Sequence, residues 1–145
     1  MSDIFVVLLF VPLFSLFSLF SFVRFLINNY YYVNEVFIEK NITTNDKDEF
    51  LNMLNEQKSI FVELELKESF DRLLIFVPEI ESLIDDNGLD AVIQTIDHSR
   101  IESLVRHFRS TWKAGISHMS KSINTYFNNI KNGMSILKQC LTQLL

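Results

Sequence analysis

The chain has 145 residues, of which 48% are hydrophobic and 13% aromatic, and its net charge is −5. This length is enough to bury one hydrophobic core, and the apolar content excludes a chain that is disordered throughout. Three Gly, two Pro and a single cysteine, Cys140, exclude a collagen-like protein, a disulfide framework and a cysteine-based zinc site.

The N-terminus carries an uncharged, Phe-rich run over residues 4–23. About 20 apolar residues in a helix are long enough to cross the hydrocarbon core of a bilayer. A secretory signal peptide is disfavoured, because Asp3 replaces the basic n-region and the serines recur every three residues. We therefore predict that residues 1–24 are either a membrane anchor or an artefact of the gene model, since their Phe-Ser-Leu repeats resemble translated low-complexity sequence.

From Phe25 onward, the spacing of the apolar residues predicts helices separated by short breaks. Residues 25–40 carry an apolar stripe and predict the first helix. Residues 41–46 favour caps and turns, and a second helix is predicted to begin near Asp46, with Glu49 placed as in a capping box.

A third helix is predicted to begin at Ser69. Pro78 lies inside it and predicts a kink or a break, because proline removes a backbone hydrogen bond and clashes with the preceding turn. Gly88 follows three polar residues and is free to adopt the left-handed conformation that commonly ends a helix.

The most regular pattern lies in the last 45 residues, where apolar side chains recur every three or four positions. They are Ile101, Val105, Phe108, Trp112, Ile116, Met119, Ile123, Phe127, Ile130, Met134, Leu137, Leu141 and Leu144. This stripe predicts one long amphipathic helix, or two helices if Asn132-Gly133 interrupts it. No segment alternates with a period of two, so the predicted fold is all-α with long amphipathic helices; an elongated, rod-like helical bundle is what the family resemblance described below implies.

Charge is distributed unevenly along the chain. Residues 1–98 have a net charge of −11, and residues 99–145 have a net charge of +6. We interpret this split as two groups of helices with complementary faces, with an interaction surface as the alternative. The basic residues are too dilute for nucleic-acid binding, and no nucleic-acid-binding motif accompanies them.

The search for chemistry gives no catalytic or metal site. His98, His107 and His118 are spaced so that no two of them can hold one metal ion on a helix. We expect these histidines to be solvated or to face a partner, and Cys140 to pack as a small apolar residue.

Acidic residues and Trp112 are also assigned structural roles. A group of carboxylates is expected to form a solvated helix face rather than an acid–base pair; the group comprises Glu63, Glu65, Glu68 and Asp71. Trp112 lies on the long apolar stripe, so we expect it in the core, with a partner anchor as the alternative. The sequence therefore predicts a protein that is not an enzyme and binds no cofactor.

Five short segments resemble, in order and spacing, the C-terminal part of the vacuolar protein sorting-associated protein 52 family. They are FLINNY at 25–30, LIFVPEIESLI at 74–84, STWK at 110–113, FNNIKNG at 127–133 and LTQL at 141–144. The resemblance covers residues 25–145. The positions that it singles out as structural or interaction residues are Trp112, Lys113, Phe127, Asn129, Asn132, Gly133, Leu141, Thr142 and Gln143.

The resemblance implies a non-catalytic subunit of a vesicle-tethering complex of the GARP or EARP type. Such subunits act in retrograde transport from endosomes to the trans-Golgi network and in endosomal recycling. The implied partners are vacuolar protein sorting-associated proteins 51, 53 and 54 or the EARP-specific subunit, SNAREs, and a small GTPase as a further candidate. The implied location is the cytosolic face of trans-Golgi network and endosomal membranes, with peripheral attachment through the complex.

The sequence departs from the family pattern in three places. Residues 1–24 do not resemble the family, Pro78 stands where the family has a helix-compatible residue, and the chain stops at Leu145 within an apolar run. We therefore expect residues 25–145 to be a helical domain that is truncated at its C-terminus. The alternative is a small single-span membrane protein with a cytoplasmic helical interaction domain, which would resist extraction by alkaline carbonate.

Overall fold

The computed structural model describes residues 15–145. It contains five helices: α1 Ser15–Glu39, α2 Asn45–Asn87, α3 Leu89–Thr95, α4 His98–Tyr126 and α5 Ile130–Leu144. Helices hold 91% of these residues and no strand occurs among them, which confirms the predicted all-α class. The chain divides into two compact units, Met1–Val62 and Glu63–Leu145, and α2 contributes to both.

In the first unit, α1 and the first part of α2 form an antiparallel helical hairpin. Phe20 near the start of α1 meets Phe61, and Phe37 near its end meets Phe50, with ring centroids 5.8 Å apart in both pairs. Five apolar residues fill the hairpin and are almost completely buried: Val23, Ile27, Leu54, Phe61 and Val62.

The turn between α1 and α2 lies within the predicted break at 41–46. The amide of Ile42 donates to the carbonyl of Phe37 at 2.9 Å, and Asn41 adopts φ 53°. A residue with positive φ just after the last turn, together with such a hydrogen bond, is a common way for a helix to end. Asn tolerates the positive φ better than most residues. Helix α2 begins at Asn45, one residue before the predicted start.

In the second unit, the C-terminal part of α2 packs antiparallel to α4. Phe70 meets Phe108 at 5.9 Å between ring centroids, and the Arg100 guanidinium makes two hydrogen bonds to Glu79, of 2.6 and 2.7 Å. The buried apolar residues of this unit come from all four of its helices and the turn before α5. They are Leu66, Phe70, Val92, Met119, Ile123, Phe127, Ile136 and Cys140.

The predicted second and third helices follow one another as the two segments of α2. Its backbone leaves helical geometry at Phe70 (φ −141°, ψ 39°), next to the predicted start of the third helix at Ser69. Of the kink or break predicted at Pro78, the break does not occur, because the helix continues through the proline to Asn87. Arg100 of α4 contacts this part of α2 on both sides of Pro78. Its guanidinium lies over the Phe76 ring and donates a hydrogen bond to Glu79.

Helix α3 is a short element that the sequence did not predict. Gly88 precedes it with φ 83° and ψ 153°, so φ is positive as predicted, but the residue does not adopt the predicted left-handed helical conformation. Asp97 then caps α4, because its carboxylate accepts from the backbone amides of Ser99 and Arg100 at 2.9 and 3.4 Å. A hydrogen bond from the Ser99 hydroxyl, followed by these two backbone hydrogen bonds, holds the pKa of Asp97 below its ordinary value.

The long C-terminal stripe forms two helices, but the predicted position of the break was wrong. The chain leaves α4 at Phe127 and enters α5 after Asn129, whereas Asn132-Gly133 lies inside α5. The helix begins earlier because the Asn129 side chain caps it by accepting from the amide of Asn132. Gly133 lies on the covered face of α5, where a Cβ atom would make an ordinary van der Waals contact with Ile123 at 3.5 Å.

The membrane anchor predicted at the N-terminus falls partly outside the described residues, which begin at residue 15. Within residues 15–145, no helix combines the length and the apolar character that crossing a bilayer requires.

Candidate interaction surface

The structure separates the positions singled out by the family resemblance into three groups. The first comprises Trp112 and Lys113 on α4. The second surrounds the turn between α4 and α5, and the third comprises Leu141, Thr142 and Gln143 in the last turns of α5. Thr142 and Gln143 are exposed, and Leu141 is half-buried.

The second group builds the corner between α4 and α5. Phe127 is buried and its amide donates to the carbonyl of Ile123 at 3.0 Å, which closes α4. The Asn129 side chain accepts from the amide of Asn132 at 3.1 Å and caps α5. Asn132 and Gly133 are buried behind this cap. These four residues form the connection between the two helices, and only Asn129 among them is exposed to a partner.

Trp112 is 38% exposed, so the expectation that it lies in the core was wrong. The reason is the rotation of α4 about its axis. Gly115 and Phe108, rather than Trp112, face α2 and contact Phe70. The ammonium of Lys113 lies 5.5 Å from the centre of the indole ring, in a cation–π arrangement.

Trp112 belongs to a surface that we name the α4 face, comprising Val105, Arg109, Trp112, Lys113 and Ile116, of which all but the half-buried Ile116 are exposed. Val105, Arg109, Trp112 and Ile116 follow one another at spacings of four, three and four, which places them on one side of the helix. No acidic residue occurs in the chain after Glu102. The face therefore offers a half-exposed Trp with cationic neighbours, which suits an apolar partner surface bordered by acidic groups.

Sequence reasoning missed a buried carboxylate. Glu65 was expected on a solvated face with Glu63, Glu68 and Asp71; those three are exposed, but Glu65 is completely buried. The hydroxyl of Ser122 donates to Glu65 Oε2 at 3.0 Å, and His118 Nδ1 lies 3.8 Å from Oε1.

The spacing of the surrounding residues contained a signal for this burial. Glu65 follows Leu54, Lys58 and Phe61 at intervals of four, three and four, and all four residues are buried. A carboxylate at such a position lies on the core face of its helix and needs hydrogen-bond partners there. Ser122 on α4 supplies one of them.

The histidines are dispersed. His98 and His118 are exposed, and His107 is half-buried. Among residues 15–145, no group of three or more His, Cys, Asp or Glu side chains is arranged to hold a metal ion.

Cys140 is buried as predicted, and burial followed by the nearby Glu65 charge raises its pKa to about 12 from an ordinary value of 9.0. The folded state therefore holds the thiol proton more tightly than the unfolded state does. The resulting contribution to stability is complete below about pH 9 and is lost as the pH rises towards about 12.

We expect the Cys140 thiol to react with a disulfide reagent at about pH 8 only when the chain unfolds. The check is the labelling rate in buffer and in increasing denaturant, compared with the unfolding curve followed by circular dichroism. The two transitions should coincide. Rapid stoichiometric labelling of the folded chain would contradict the burial of the thiol.

Comparison with known proteins gives one consistent set of relatives. The chain is 34% identical over 122 residues to the vacuolar protein sorting-associated protein 52 homolog of Rattus norvegicus and 33% identical over the same length to that of Homo sapiens. Both alignments cover 83% of this chain. Vacuolar protein sorting-associated protein 52 A of Arabidopsis thaliana is 42% identical over 96 residues, or 66% of the chain.

The matched region is a small part of these relatives. It spans 17% of the length of the mammalian proteins and 13% of the Arabidopsis protein. No family model matches the chain, and no solved structure matches it.

Proposed function

Because the chain belongs to the vacuolar protein sorting-associated protein 52 family, we propose that it acts as a non-catalytic part of a vesicle-tethering subunit of the GARP or EARP type. The observation that carries this proposal is 33–42% identity to relatives in mammals and Arabidopsis over most of the chain. We assign the role to residues 25–145, where the resemblance lies, and leave residues 1–24 outside it.

The proposed cellular role is retrograde transport from endosomes to the trans-Golgi network, together with endosomal recycling. The chain would attach to these membranes peripherally, through the other subunits of the complex. Its proposed partners are vacuolar protein sorting-associated proteins 51, 53 and 54 or the EARP-specific subunit, followed by SNAREs and a small GTPase.

Within this role, we assign the α4 face to contacts with another subunit. A partly exposed Trp is a frequent anchor of protein interfaces, and cationic residues at its border favour an acidic partner surface. Arg109, Lys113 and the exposed edge of Trp112 supply these features together.

The experiment compares Trp112→Ala with the unmodified chain, each tagged and co-expressed with the other subunits. We expect the variant to keep nearly the same melting temperature but to lose at least about thirtyfold in affinity for its partner subunit, as for an interface hot spot worth about 2 kcal/mol. Tyr32→Ala, which removes another exposed aromatic residue, is the matched control and should bind normally.

Two outcomes would contradict the assignment. A large fall in melting temperature for Trp112→Ala would make Trp112 a core residue. Failure of the unmodified chain to co-purify with any tethering subunit would contradict the proposed function itself.

A further inference from the structure

Helix α5 has two apolar faces, and the fold covers only one of them. Gly133, Ile136 and Cys140 lie on the covered face and are buried. On another side of the helix, Ile130 is 81% exposed and Met134 is 61% exposed. Each of these side chains would lower the free energy of the protein if it moved out of water and packed against an apolar surface.

The exposed residues follow a heptad pattern. Ile130, Met134, Leu137, Leu141 and Leu144 recur at spacings of four, three, four and three. This is the spacing of the apolar residues in a coiled coil, where they pack into the holes of a facing helix. We name these five residues the α5 seam. Leu137, Leu141 and Leu144 are partly exposed, so the seam is continuous along the helix.

One edge of the α5 seam is positively charged. Lys131 and Lys138 are seven residues apart, each directly follows a seam residue, and both are exposed. Gly133 and Cys140 occupy the equivalent positions on the other edge and are buried within the unit. Helix α5 contains no acidic residue. Any carboxylate that pairs with these lysines must therefore come from a helix other than α5.

We propose that the α5 seam is the docking site of a partner helix that has its own apolar heptad seam and acidic residues opposite Lys131 and Lys138. The charges disfavour a second copy of this chain as the occupant. In an antiparallel pair of α5 helices, the lysine edge of one helix would face the lysine edge of the other. In a parallel pair, the lysine edge of one helix would face the edge of the other that carries Gly133 and Cys140, which is already buried. This inference rests on α5 alone and does not depend on the proposed tethering role.

Two synthetic three-heptad peptides test the proposal with the complete 145-residue chain. Both carry Leu and Ile at the seam positions, but one has Glu at every flanking position and the other has Lys. We expect the acidic peptide to bind with a dissociation constant on the order of 10–100 μM, because the seam covers only two heptads. The basic peptide should bind at least about tenfold more weakly, since two attractive charge pairs become repulsive.

Substitutions on the exposed seam separate docking from folding. Met134→Gln should abolish binding of the acidic peptide with little change in melting temperature, because this side chain is already largely in water. Ile75→Gln, at an α2 residue that is 62% exposed and outside the seam, is the control and should bind normally. Lys131→Glu combined with Lys138→Glu should reverse the preference in favour of the basic peptide.

Several results would overturn the inference. They are equal affinity for the two peptides, an unchanged preference after the double charge reversal, or the absence of binding up to about 1 mM peptide. Sedimentation provides an independent check. A dimer of the chain that Met134→Gln dissociates would show that a second copy, rather than an acidic partner helix, occupies the seam.

Discussion

Replacing Gly115 by Val is expected to lower the free energy of unfolding by about 2–3 kcal/mol. A Cβ atom at this position would lie 2.6 Å from Cζ of Phe70, well inside van der Waals contact. The Phe70 ring cannot move aside freely, because it is buried and packed against Phe108. Chemical denaturation followed by circular dichroism measures the loss.

The neighbouring residue supplies the control for this prediction. Ala114→Val introduces the same β-branched side chain into α4 at an exposed position, so it should cost only the small difference in helix propensity. A rescue experiment adds Phe70→Leu to Gly115→Ala. The combined loss should be smaller than the sum of the two single losses, because the shorter side chain makes room for the new methyl group. Strict additivity would show that the two residues do not compete for space.

Replacing Phe127 by Ala is expected to have a still larger effect, of about 3–5 kcal/mol. The side chain is only 3% exposed and lies at the corner where α4 ends and α5 begins. Its removal leaves a cavity beside Gly133, on the side of α5 that packs against Phe127 and Ile123. The loss should therefore also weaken the burial of Cys140, and faster thiol labelling provides a second measurement.

Tyr126 is the matched control for Phe127. It is adjacent in the sequence, similar in size and 38% exposed, so Tyr126→Ala should cost clearly less. Equal losses for the two variants would mean that the corner is not a packed core element. A loss at Phe127 without faster labelling of Cys140 would mean that α5 stays in place without the corner.

The elements of this fold could be predicted where local chemistry is decisive. The turn after α1 and the positive φ at Gly88 follow from residues whose conformational preferences act within a few positions. The break expected at Pro78 does not occur, since α2 continues through the proline, where Phe76 and Glu79 on either side contact Arg100 of α4. At Phe70, where α2 does depart from helical geometry, the local signal was the neighbouring Ser69, from which the third helix was predicted to begin.

The candidate surfaces required the structure for a similar reason. Sequence periodicity placed Trp112, Met119 and Ile130 on one apolar stripe and left Ile136 outside it, and periodicity alone does not say which apolar residues are covered. Met119 and Ile136 are buried, whereas Trp112 and Ile130 are exposed. The difference arises because α4 turns Gly115 towards α2, and α5 turns Gly133 towards α4.

The sequence by itself determined the helical class, the turn after α1, the family resemblance and the burial of Cys140 as a small apolar residue. Each follows from composition, periodicity or local preference. Only the tertiary structure decided that Glu65 is buried, that Trp112 is half-exposed and that α5 carries a second, uncovered seam. These features depend on how each helix is rotated against its neighbours. That rotation is set by packing between residues distant in the chain, such as Phe70 with Gly115 and Glu65 with Ser122.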